Sequence, residues 1–189
     1  DAVLAVEDIR FYVHKGVDFK RLLGAVINNL KNESVQGAST ITQQLIKNTL
    51  LTPERSYKRK IQEAYLALQL EQKYTKEQIL EAYLNTSYFG SGNYGVKTAA
   101  KDYFGKELKD LTLRECAILA GILKNPYYYD PRKNFYDPNR SPEITYNRTN
   151  LVLRLMYENG FITKEEYESA RFKHGREPFE DGFTVIEKS

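Results

Sequence analysis

The chain has 189 residues, 41% hydrophobic and 28% charged, proportions of a folded domain with one substantial core and room for a smaller second lobe. A formal net charge of +3 is too small to argue for a nucleic-acid partner. One cysteine, Cys116 in the apolar run CAILAGIL, excludes a disulfide framework and reads as core packing, and no apolar run is long enough to cross a bilayer.

Residues 2–13 read as a helix in which Glu7, Phe11 and His14 share a face, ended by Gly16. Asp18 caps the next helix, 18–30, with apolar Leu22, Leu23, Val26, Ile27 and Leu30. Lys31–Gln36 is a polar connector expected to be mobile. In GASTITQQLIKN, residues 37–48, Thr40 and Gln43 have capping-box spacing and open a helix that closes near Leu50. Winding it places Thr40, Gln43, Gln44 and Lys47 on one outward face, with Ile41 and Leu45 on the other. A stripe of hydroxyl, amides and one cation above free helix N–H groups is a plausible cradle for an anionic, hydroxyl-rich ligand. It fits a well-capped helix with a polar outer face equally well.

Thr52-Pro53-Glu54 is a cap followed by proline at the first helical position, starting a helix to about Lys73. Arg55, Lys58, Arg59 and Lys60 crowd its first turns, where cations oppose the helix dipole and only Glu54 offsets them. That cost favours an anionic partner over a plain solvated face. Arg59 and Glu63 have the spacing of an i,i+4 pair. Thr75 and Gln78 box the start of the helix holding ILEAYLN. The loop SYFGSGNYG has three glycines in six residues. Helix 94–104 stops at Gly105. Thr112 and Glu115 open the most apolar helix, 112–123, expected to be central. Residues 124–142, with four prolines, read as a long non-helical segment. Helix 143–159 ends at Gly160, and Thr163 with Glu166 boxes a short last helix. The fold class is all-α.

Glu7 sits among Val3, Val6, Ile9 and Phe11, surroundings that favour a protonated carboxyl and so a usable base. Alone, a Glu-Asp pair near a chain start is most often surface. His14 alone reads as a helix-end hydrogen bonder. The 15 Tyr and 9 Phe, with no Trp, suit sugars, peptides or a membrane interface.

Taken together, EDIRFYVHKG (7–16), QGASTITQQLIKN (36–48), RKIQE (59–63), ILEAYLNTSYFGSGNYGV (79–96) and AILAGILKNPYYYDP (117–131) resemble the peptidoglycan glycosyltransferase domain of class A penicillin-binding proteins and their monofunctional relatives. The resemblance runs to about residue 172, and Ala38 stands where the family usually has a second glycine. It implies a lysozyme-like helical domain over 1–172, with residues 17–36 in a smaller membrane-facing lobe and 173–189 as a tail or the start of a linker. It implies processive joining of lipid II into β-1,4-linked glycan by inverting displacement of undecaprenyl pyrophosphate. Glu7 would be the general base for the acceptor 4-hydroxyl, with Asp8, Phe11 and His14 beside it at the substrate. Glu63 would be the second carboxylate, at the donor or a divalent ion. Lys47, Arg59, Lys60 and Lys124 would neutralise the pyrophosphate, and Ser39, Thr40, Gln43, Gln44 and Asn48 would orient sugar and phosphate oxygens.

No cofactor is obligatory on this reading, which leaves room for Mg2+ or another divalent cation near Glu63. Expected partners are lipid II, the growing glycan strand and a membrane surface, with no nucleic acid; phosphoglycolipid inhibitors of the moenomycin type should bind. The chain begins at Asp1 without Met and looks like an excised domain. It would work on the outer face of the bacterial cytoplasmic membrane, anchored by an N-terminal transmembrane segment outside this sequence, beside a transpeptidase domain in the parent chain. Two rivals remain at this point. A lysozyme-like hydrolase or lytic transglycosylase would have no use for the Lys47, Arg59, Lys60 cluster. A non-catalytic helical module at a membrane surface would have no use for Glu7.

Overall fold

A computed structural model describes residues 1–30, 37–52, 56–173, 179 and 181–188, without the side chains of Val26, Asn28, Asn29 and Leu30. Among the described residues there are α-helices, one 3-10 turn at Leu108–Asp110 and no strand, only a single antiparallel bridge between Tyr88 and Tyr94. The all-α expectation holds. The connector Lys31–Gln36 and the residues Pro53, Glu54 and Arg55 lie outside the described residues. The chain divides into two compact units, residues 1–6 with 87–189, and residues 7–86.

The larger unit is built on α7 (Leu113–Ile122), the most apolar helix, opened by the expected Thr112–Glu115 box. Ala117 to Ile122 are all buried on it, so it packs on both sides. One side meets α6 (Val96–Phe104) in a core of Phe89, Ala99, Ala100, Tyr103, Ile118, Leu119, Ile122, Tyr146, Phe172, Phe183 and Val185. The other buries Ala2 and Ala5 of α1 (Ala2–Glu7) with Ala117, Ala120, Val152, Leu153 and Met156, the last three from α9 (Pro142–Glu158). Cys116 is half-buried beside this core.

One expectation needs correction here. Residues 124–142 are not wholly irregular: Asp130 caps α8 (Pro131–Tyr136), whose proline occupies the first turn, where no N–H is missed. Part of the segment read as a tail or the start of a linker packs on the larger unit. Past α10 (Lys164–Ala170), Phe183 and Val185 are buried, the Ile186 N–H donates to the Tyr103 carbonyl at 2.8 Å, and Tyr136 Oη donates to the Val185 carbonyl at 2.6 Å.

The smaller unit holds α2 (Phe19–Leu30), α3 (Ile41–Thr49), α4 (Tyr57–Lys73) and α5 (Lys76–Thr86), with α3 packed on both α4 and α5. Asp18 caps α2 as expected, its Oδ1 accepting the Arg21 N–H at 3.1 Å. The first helix is shorter than its periodicity suggests. It ends at Glu7 because the Asp8 side chain reaches away to other partners, leaving residues 8–17 in successive turns. Glu7, Phe11 and His14 therefore do not share a helical face. Gly16 closes these turns at φ +97°, where a Cβ would lie 2.6 Å from the Ala67 carbonyl oxygen. Only glycine fits a chain crossing α4 that closely. The α4 cap is Ser56 rather than Thr52, its hydroxyl accepting the Arg59 N–H at 3.1 Å.

Candidate active site

Glu7 is the last residue of α1 and is half-buried. Gln44 on α3 donates from Nε2 to Glu7 Oε2 at 3.1 Å, while its Oε1 accepts the Tyr83 hydroxyl at 2.9 Å. The Arg21 guanidinium donates to the Glu7 backbone carbonyl at 2.8 Å. Asp8 anchors the next position, its buried Oδ2 accepting the Ile41 N–H at 2.9 Å and His14 Nε2 at 2.8 Å. A carboxylate on the first N–H groups of α3 sits where the helix dipole favours it. The Gly16 N–H donates to His14 Nδ1 at 3.1 Å, which leaves Nε2 as the proton-bearing nitrogen facing Asp8.

Behind His14, the buried Glu71 carboxylate accepts the Thr42 hydroxyl at 2.6 Å and pairs with Lys76 at 2.7 Å. The Lys76 ammonium lies 4.4 Å over the Phe11 ring. Phe11 is fully buried and His14 and Asp8 nearly so. The partners of these three include Ile41, Gly16, Lys76 and one another, and a place for them at the substrate remains a proposal.

The stripe on α3 also differs from its expected outward pose. Thr40 and Gln43 are buried. Thr40 donates its hydroxyl to the Gly16 carbonyl at 2.6 Å and completes the capping box with Gln43. Both side chains are thus spent on holding the start of the helix. Gln44 is held between Glu7 and Tyr83. Lys47 and Asn48 are exposed one turn further on.

A second cluster forms at the start of α4. Glu63 is buried, and its partner is Lys60 rather than the expected Arg59: Lys60 Nζ lies 2.5 Å from Glu63 Oε1 and 2.7 Å from Ser39 Oγ. Arg59 turns the other way and donates to the Thr52 carbonyl at 2.8 Å. Glu63 Oε2 is buried with no hydrogen-bond partner among the described residues. No group of three metal-ligating side chains occurs among them either. One carboxylate already paired with an ammonium does not fit a protein-held divalent ion. Lys124 is exposed in the larger unit, just past α7.

Within the smaller unit, Asp18 accepts from Arg10 Nε at 2.9 Å. Burial works to raise the Asp18 carboxyl, yet the Arg21 N–H and the Arg10 guanidinium outweigh it and hold it below the ordinary value. Periodicity gave Arg21, Glu71, Lys76 and Tyr83 no role. Tyr83 lies in ILEAYLN, part of the resemblance; the others carry no signal without the fold.

A family profile described as Transglycosylase matches residues 1–157. Penicillin-binding protein 1A of Clostridium botulinum (strain Langeland) is 47% identical over 175 residues, 90% of this chain and 21% of that protein. Penicillin-binding protein 1A of Streptococcus oralis is 48% identical over 174 residues, 90% of this chain and 26% of that one. The chain therefore spans about a fifth to a quarter of the length of these relatives. A crystal structure of penicillin-binding protein 1A from Haemophilus influenzae aligns with 78% of this chain and 17% of its own, at 29% identity and a TM-score of 0.46.

Proposed function

The chain belongs to the transglycosylase family, and on that premise we propose that it polymerises lipid II into β-1,4-linked peptidoglycan strands with Glu7 as general base. The observation that carries the reading is the Glu7 carboxylate, half-buried at a helix end and held by the Gln44 amide at 3.1 Å. The carboxylate takes the proton of the acceptor 4-hydroxyl as that oxygen attacks the donor's anomeric carbon. The new C–O bond forms as the bond to the diphosphate breaks, with inversion, and undecaprenyl pyrophosphate leaves. Charge grows on that diphosphate, which is where cations act. Lys60, beside Ser39 and Glu63 on α4, would take this role, with the exposed Lys47 and with Arg59 as further cations of the same unit; Lys124, exposed in the larger unit, is another candidate. Ser39 and Asn48 are left to meet sugar or phosphate oxygens.

Membrane contact is supported by α2, where Phe19, Leu22, Leu23 and Ile27 recur at helical spacing and all stay exposed. Among the described residues no helix is long and apolar enough to cross a membrane. Anchoring by a preceding segment on the outer face of the cytoplasmic membrane, and a transpeptidase domain further along the parent chain, accord with the greater length of the relatives. Phosphoglycolipids of the moenomycin type would compete for the same diphosphate cations.

Incubation with lipid II tests the assignment. Polymer growth with release of lipid pyrophosphate supports it, and shortening of preformed glycan instead would establish a hydrolase or lytic enzyme. Glu7→Gln should abolish polymerisation while lipid II binding persists; normal turnover by that variant removes Glu7 as base.

A further inference from the structure

We propose that Tyr83 is a positioning residue: its hydroxyl fixes which end of the Gln44 amide faces Glu7. This rests on the reading of Glu7 as the base. An amide side chain has two near-isosteric ends, one accepting and one donating. An ionised carboxylate only accepts, so Nε2 must face Glu7 and Oε1 must face away. Tyr83 occupies the far side, 1% exposed on α5, with its hydroxyl 2.9 Å from Gln44 Oε1. A phenol that donates there stabilises the orientation that Glu7 requires.

The constraint matters most just after the proton has moved. A protonated Glu7 is itself a donor, and an amide turned by 180° could then accept from it through Oε1. That turned state would meet the next ionised carboxylate with an oxygen, and the base would begin the next cycle beside a repulsive neighbour. Tyr83 opposes the turn because Oε1 would leave its hydrogen bond behind. The α3 backbone cannot compensate by moving. Its first N–H groups are pinned by Asp8 at Ile41, and the Thr40 hydroxyl is bonded to Gly16. Arg21 engages the Glu7 backbone carbonyl. The amide is thus the adjustable part, and the Tyr83 hydroxyl on its far end sets it.

The test is a double-mutant cycle on lipid II polymerisation with Tyr83→Phe, Gln44→Leu and the double variant. Losing one hydrogen bond that acts through Gln44 should lower kcat by about three- to tenfold in Tyr83→Phe, with KM unchanged. Gln44→Leu should lower kcat at least as much, and adding Tyr83→Phe to it should cost nothing further. An unchanged kcat in Tyr83→Phe, or losses that multiply in the double variant, would overturn the proposal. Unchanged kcat in Gln44→Leu overturns it as well, even if Tyr83→Phe proves insoluble. Full activity in Glu7→Gln sinks the reading of the base, and the proposal with it. An inactive Glu7→Gln beside a normal Tyr83→Phe sinks the proposal alone.

Discussion

Asp8 Oδ2 accepts the backbone N–H of Ile41 at 2.9 Å, a contact across 33 positions of sequence. It joins the residue after the candidate base to the first turn of the helix that carries Gln44. The same helix therefore holds the carboxylate of the base and the side chain of the residue after it. Asp8→Ala leaves the Ile41 N–H and His14 Nε2 buried without an acceptor. The expected loss is about 2–3 kcal/mol of unfolding free energy, read by urea denaturation. Asp8→Asn, which keeps one acceptor, should lose less.

Lys60 and Glu63 answer to a different test. Glu63 is 1% exposed and pairs with the Lys60 ammonium. Lys60 is half-exposed, and water moderates the pair. Lys60→Met should lower stability by about 1–2 kcal/mol, and Glu63→Gln added to it should restore most of that, because the buried group is then neutral. Both variants should polymerise lipid II more slowly than the parent. A Lys60→Met protein with unaltered rate would remove Lys60 from the diphosphate.

Acid should destabilise the fold through a small set of carboxylates. Burial works to raise Asp102, but bonds from Lys188, Asn93 and Arg132 outweigh it and hold the carboxyl below its ordinary value; Asp18 and, through Arg114, Asp181 behave alike. A folded-state value below the unfolded one means stability present above about pH 4, lost as pH falls through that value and then through the lower folded ones. Arg132→Met should therefore cost more at pH 7 than at pH 3 in urea melts. A difference independent of pH would show that Arg132 acts only through its bonds to the Ile186 and Asp102 carbonyls.

Truncation after residue 172 addresses the end of the domain. It removes Phe183 and Val185 from the core of the larger unit, along with the bond from Ile186 to Tyr103. Burial of two such side chains stabilises by about 3–6 kcal/mol. The truncated chain should melt well below the parent in circular dichroism, whereas a true linker would leave the melting temperature in place.

Most local signals in the chain were reliable, the Thr52-Pro53 start of α4 being the exception. Four capping boxes, at Thr40, Thr75, Thr112 and Thr163, form as their spacing predicts, since each joins a side chain to a backbone group three residues away. Gly105 ends α6 in the left-handed conformation expected of it. The all-α class and the central place of α7 in its unit follow from periodicity and apolar content alone. The proline-rich segment hid a short helix because a six-residue element is too brief to show a period.

What sequence alone determined, then, was the identity of the helices and, through quoted motifs, the family. Tertiary structure decided which polar residues stay exposed and which serve the fold. A 3.6-residue period says that Thr40, Gln43 and Gln44 share a side of α3, but whether that side meets water depends on α4, α5 and the turn at Gly16, all distant in sequence. It likewise gave Glu63 to Lys60 instead of Arg59, because one guanidinium found a carbonyl at Thr52. Hydrogen-bond partners across long loops are chosen by the assembled surroundings, and no local spacing encodes them.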